Sequence, residues 1–298
     1  MFAGIGAGTL SVLAICGSYI FSREYMRRNH DAVKLAVFSQ LVMAVGGLIL
    51  LITYSIFSHI PWGSRLLLVI VGQVITFLFG QTSFFMLLHK VESSRAAALL
   101  GLKILALALI SFIIGKNLLV QQWIAVLLCT SAAVGMNFSG GKMALSSCMW
   151  LLLSVISYAL CDICVTELML MMPGKSMLFN SFGVVGICYT ALGIAVLPAL
   201  FKYRLTSKEI IDVIPYSMLY FFSMVFLYTC FGLIGVVFGS IIQSGRGIVS
   251  VLLGIVLVHF NLDRNEQRIS AAKWVQRFIF AAVMLSGMLL YSLSTLSE

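Results

Sequence analysis

The sequence predicts an all-α, polytopic membrane protein of ten transmembrane helices arranged as two inverted five-helix repeats, and three observations carry the prediction. The 298 residues are 61% hydrophobic and 10% charged, with a mean hydropathy of +1.08. A soluble domain of this size could not keep that much apolar surface from water. The apolar residues fall into runs of roughly 20 between charged or Pro-marked breaks, the length a helix rising about 1.5 Å per residue needs to cross a ~30 Å hydrocarbon core. The two halves of the chain also match at a constant offset of 143: Ser11-Val12 on Ser154-Val155, Ile20 on Ile163, Glu24 on Glu167 and Lys103 on Arg246.

In order, the predicted spans are Phe2 to Ser22, Val33 to Phe57, Leu66 to Leu88, Ser94 to Gly115 and Leu118 to Phe138, then Ser147 to Met171, Met177 to Phe201, Val213 to Gly235, Val237 to Phe260 and Trp274 to Leu293. The first run reads as a span, because no Lys or Arg precedes Arg23 and no short apolar core ends at a small-residue cleavage site. Its Gly4, Gly6 and Gly8 follow no strand, so they read as helix-packing residues and not as a phosphate loop. Residues 1–142 make the first repeat and 143–298 the second, together one integral membrane unit. The fifth helices open at Trp123 and Trp274, so the connection Asn261 to Lys273 carries the extra residues that a repeat tolerates in a loop. Because five is odd, the second repeat enters the membrane in the opposite sense, which is the inverted-repeat plan of secondary transporters.

The net charge of +9 is decided by its placement. Even-numbered connections and the termini hold three basic residues, Arg65, Lys116 and Lys175. Odd-numbered connections with their helix ends hold fourteen, among them Arg23, Arg27, Arg28, Lys34, Lys90, Arg95, Lys142, Lys202 and Arg264. This is the positive-inside pattern, which marks the cytoplasmic face and anionic headgroups, excludes nucleic acid as the partner, and puts both termini on the external side.

The remaining two cations, Lys103 and Arg246, lie mid-span. A cation near the membrane centre costs at least about 2.5–3.5 kcal/mol on the insertion scale, so each implies a compensating role. Two acids fall inside spans, both on the sixth: Asp162 near its centre, offered as partner to Lys103 or Arg246, and Glu167 nearer the interface, expected to reach towards water. Gln243 precedes Arg246 by three residues and shares its helix face, and Gly245 and Gly247 beside it allow close approach of a ligand to the backbone. Gln40, Gln73, Gln81 and Asn180 are amides suited to interhelical hydrogen bonds. Tyr19, Tyr158, Tyr189, Tyr220 and Tyr228 suit either helix interfaces or a cavity wall.

The seven cysteines all lie within spans, and Cys161-x-x-Cys164 has no second pair and no neighbouring His, so neither a disulfide framework nor a metal site is expected. His30, His59, His89 and His259 are scattered over span edges and loops. No catalytic constellation assembles from spacing, and neither an enzyme nor a cofactor is expected.

The stretch Phe84-Phe85-Met86-Leu87-Leu88, then Ser93-Ser94-Arg95-Ala96-Ala97-Ala98-Leu99-Leu100 leading into the fourth span, and Gln122-Trp123-Ile124 opening the fifth, resembles the drug/metabolite transporter superfamily built of two EamA-type repeats. The resemblance implies a small-molecule transporter. Lys103 and Arg246 stand where that family often carries Pro, and branches that move organic phosphates are similar in having basic residues on these helices. The site residues expected to bind substrate are Lys103, Arg246, Gln243 and Asp162. Two cations against one acid favour a small organic anion, phosphorylated or carboxylated, moved by alternating access about the membrane midplane, with proton or counter-substrate coupling through Asp162. The alternatives are an exporter of amphipathic amines or amino acids anchored by Asp162, and a non-transporting membrane partner protein.

Overall fold

The computed structural model describes residues 1–29, 31–88, 99–115, 118–135, 144–203, 207–246, 249 and 271–296. Among the described residues there are ten α-helices and no strand: α1 Phe2–Asn29, α2 Ala32–Phe57, α3 Ser64–Leu88, α4 Lys103–Ile113, α5 Val120–Gly135, α6 Leu145–Met171, α7 Met177–Val196, α8 Ser207–Ile234, α9 Val236–Ser244 and α10 Ala271–Leu296. Six of them contain a segment long and apolar enough to cross a membrane: Phe2–Met26, Val33–Phe57, Ser64–Phe84, Leu145–Met171, Met177–Phe201 and Lys208–Ile234. Shorter apolar helices run over Leu100–Ile113, Val120–Gly135 and Ile279–Ser294. The first part of the predicted fourth span, most of the ninth, and the connection Asn261 to Lys273 up to Ser270 lie outside the described residues, as do Lys116, Lys142 and Gly247.

Helix ends follow local chemistry. Asp31 caps α2, its carboxylate accepting from the Val33 and Lys34 amides at 3.0 Å, and Ser176 caps α7 by accepting from the Phe179 amide at 3.2 Å. Gly235 divides α8 from α9 at φ +79, a left-handed conformation that a Cβ resists. Among the boundaries that differ from the sequence reading, two are set by local chemistry. The α1 helix continues past Arg23 to Asn29, because its charged last turns find partners on α8. The α8 helix starts at Ser207 and carries Pro215 in its third turn, so the apolar cut at Val213 missed its polar beginning.

The chain forms two compact units. The first comprises Met1–Ile75 with Cys164–Gly235, the second Thr76–Ile163 with Val236–Glu298, so each draws on both halves of the chain. In the first unit α1 packs against α8 and α2 against α7. The α2 and α7 contacts run antiparallel: a Cβ at Gly193 would meet Ala44, one at Gly186 would lie 2.7 Å from the Leu51 nitrogen, and one at Gly183 would press on the Tyr54 ring. Glycine here lets two backbones approach where hydrocarbon supplies no hydrophobic drive, and packing alone must hold the pair. Asn180 on α7, buried at 4% exposure, accepts from the Tyr54 hydroxyl on α2 at 3.5 Å and donates to the Met172 carbonyl just past α6 at 3.0 Å.

At one end of this unit α8 is joined to both its neighbours by charge. Arg28 on α1 pairs with Asp212 at 2.9 Å and with Glu24 at 2.8 Å, and Lys34 on α2 pairs with Glu209 at 2.8 Å. Hydrogen bonding to Glu24, with the charges of Glu24 and Asp212, raises the Arg28 pKa. Deeper, the Ser223 hydroxyl donates to the Ser11 carbonyl at 3.0 Å.

In the second unit α5 and α10 form the corresponding antiparallel pair. Gly287 packs on Cys129 and Gly135 on Phe280, and the Gln276 amide donates to the Gly135 carbonyl at 2.8 Å. The α4 helix lies on α5, and α9 reaches α4, α5 and α10. A core of Leu87, Leu99, Leu151 and Val155 closes the end of this unit near the start of α4.

Candidate functional site

Lys103 is not inside a regular helix, as its mid-span position suggested. Leu100–Leu102 forms a 3-10 turn, and Lys103 is the first residue of α4, its amide donating back to the Leu100 carbonyl. The turn lies tight on α5, since a Cβ at Gly101 would meet the Ala133 Cβ. A 3-10 turn within an apolar stretch places a side chain off the usual helical stripe and often marks a functional position. At the position 143 residues on, the end of α9 does the same: the Gly245 amide donates to the Ile242 carbonyl at 3.0 Å, and Arg246 follows, half-buried. Both mid-span cations therefore follow a tightened turn.

The Lys103 ammonium lies 2.7 Å from Asp162 Oδ2 on α6 and 3.1 Å from Gln243 Oε1 on α9. The Lys103 and Asp162 side chains are 14% and 16% exposed, and Gln243 is buried. A lysine ammonium carries three N–H donors; these two bonds leave one. The arrangement is thus a charge-neutralised cation in a low-dielectric setting with one donor uncommitted among the described residues. Of the residues offered by sequence as a site, the structure brings Lys103, Asp162 and Gln243 together, and Arg246 lies three residues beyond Gln243, past the end of α9 at Ser244.

Glu167, one turn and a little further along α6, pairs with Arg65 at 3.4 Å at the exposed end of the helix. On the other side of Asp162, Tyr158 donates to Gln81 Oε1 on α3 at 2.9 Å. That pairing could not be read from spacing, although both residues stood out singly as polar groups in apolar runs. Among the described residues no group of His, Cys, Asp and Glu is arranged to hold a metal ion.

Six helices long and apolar enough to cross a bilayer define a multi-pass integral membrane protein. Residues 2–138 match the model of the EamA-like transporter family, consistent with the drug/metabolite transporter superfamily that the sequence resembles. A solved structure described only as the crystal structure of a protein shares the fold with a TM-score of 0.71 at 14% identity, covering 98% of this chain and 97% of its own. No curated protein matches the sequence.

Proposed function

We propose that this membrane transporter is a secondary transporter of a small organic anion, phosphorylated or carboxylated, with alternating access about the Lys103 site. The observation that carries the reading is the Lys103 ammonium itself: largely buried, held by Asp162 and Gln243, and retaining one donor among the described residues. Lys103 and Arg246 are the anion-binding groups, Gln243 orients Lys103, and Asp162 is the counter-ion. An incoming anion takes the third donor and competes with Asp162 for the charge, so that Asp162 is released to bind a proton or to re-pair when the anion leaves. The pairing of Asp162 with Lys103 weighs against the reading in which Asp162 anchors an amine.

The halves 1–142 and 143–298 are, on this proposal, inverted repeats contributing ten spans. The antiparallel pairing of α2 with α7 and of α5 with α10, each the counterpart of the other under the repeat, supports it. The charge bias places the termini on the external side.

Uptake into proteoliposomes tests the proposal, with labelled phosphate esters, carboxylates and amines presented in parallel. Saturable uptake of an anion, lost in Lys103→Ala, is the expected result. Uptake of amines alone, or no uptake of any class, overturns it.

A further inference from the structure

The Lys103 cluster is not the end of the polar surface on α6. Tyr158 lies four residues before Asp162, one turn or about 6 Å along the same helix face. Three residues of α3 hold it. Gln81 accepts its hydroxyl proton at 2.9 Å, the Phe77 ring meets it edge to face at 6.4 Å between centroids and 70° between planes, and Gly80 leaves space where a Cβ would come within 3.1 Å of the ring. A tyrosine fixed at hydroxyl, edge and face in this way has lost its rotamer freedom before any ligand arrives. Tyr158, Phe77 and Gln81 nevertheless all remain half-buried, neither sealed into a core nor splayed on the surface. With its carbonyl oxygen committed to Tyr158, Gln81 presents its amide N–H groups as donors.

From this geometry we infer that Tyr158, Phe77 and Gln81 form a second subsite one helical turn from Lys103, which takes the planar ring of an organic anion whose charged group binds Lys103. The inference rests on the anion-site proposal and adds the shape of the substrate: a charged group and a flat ring separated by about one turn of helix. The pre-ordered aromatic surface favours a ring over a flexible chain because the face contact is made without ordering the protein. Gln81 adds a hydrogen bond for a ring that bears an acceptor. Tyr158 is a specificity residue here, with no part in holding the charge.

The test compares two monocarboxylates, 3-phenylpropanoate and hexanoate, for binding to the purified full chain in detergent by calorimetry. Stacking on an aromatic side chain corresponds to roughly tenfold or more in affinity, so 3-phenylpropanoate should bind wild-type protein about tenfold more tightly. Tyr158→Leu should erase that preference by lowering the affinity for 3-phenylpropanoate to that for hexanoate, and Tyr158→Phe should keep it. Gly80→Ala, which displaces the ring without removing it, should reduce the preference. Equal affinity of the two acids for wild-type protein, or an equal loss of both in Tyr158→Leu, overturns the subsite alone. Absence of Lys103-dependent binding of either acid overturns the anion site and the subsite with it.

Discussion

The Lys103 ammonium and the Asp162 carboxylate, 59 residues apart in the chain, lie 2.7 Å apart and are mostly buried. Taken singly each is an expensive residue for an apolar helix. Together they neutralise each other, and Gln243 takes a further donor.

Asp162→Asn leaves the cation with only neutral partners in low dielectric. Breaking a buried pair from one side costs on the order of 3 kcal/mol, so unfolding in detergent should shift to lower denaturant or temperature. The double variant Lys103→Met/Asp162→Leu should recover much of that stability without recovering uptake. A double variant no more stable than Asp162→Asn would show that the pair contributes packing and not charge balance.

Lys103→Ala and Arg246→Ala should each abolish uptake while the protein still inserts, whereas Lys175→Ala, at an exposed position just before α7, should be nearly silent. Uptake assays normalised to the amount of inserted protein decide this. Unchanged uptake in Arg246→Ala would remove that residue from the anion site.

Gly186→Ala places a Cβ 2.7 Å from the Leu51 nitrogen and 3.0 Å from the Gly47 carbonyl, both backbone atoms that cannot step aside. Overpacking of this kind costs about 1–3 kcal/mol. Gly6→Ala on α1 meets nothing within 4 Å and should be neutral or stabilising by up to about 1 kcal/mol through helix propensity. Thermal unfolding of the two variants side by side should separate them in opposite directions.

The charge bias predicts external termini. A reporter fused after Glu298 should read as external and one in the connection that carries Arg27 and Arg28 as cytoplasmic. The reverse pattern would overturn the orientation, and would mean that Arg28 and its α8 partners face outward.

The sequence by itself determined the class of the protein and singled out its charged candidates. Runs of roughly bilayer length can only be helices in a membrane, because an unpaired backbone there has no water to bond, and the six long apolar helices fall on six of those runs. The cost of a charge in hydrocarbon singled out Lys103, Asp162 and Arg246 before any contact was known, and a three-residue spacing added Gln243. Tertiary structure decided what spacing does not encode. Composition gave Asp162 two candidate partners, and only the fold brings Lys103 onto it from α4 and Gln243 beside it from α9. The 3-10 turn before Lys103 lies where Gly101 packs against Ala133, a contact between helices that no local pattern records. Likewise the pairing of Tyr158 with Gln81 depends on α3 and α6 meeting at Gly80. Such pairings are non-local. A hydropathy pattern fixes where a helix crosses the bilayer and leaves open its neighbours and its rotation, and those were set by close packing at Gly47, Gly186 and Gly287 and by which polar side chains found one another.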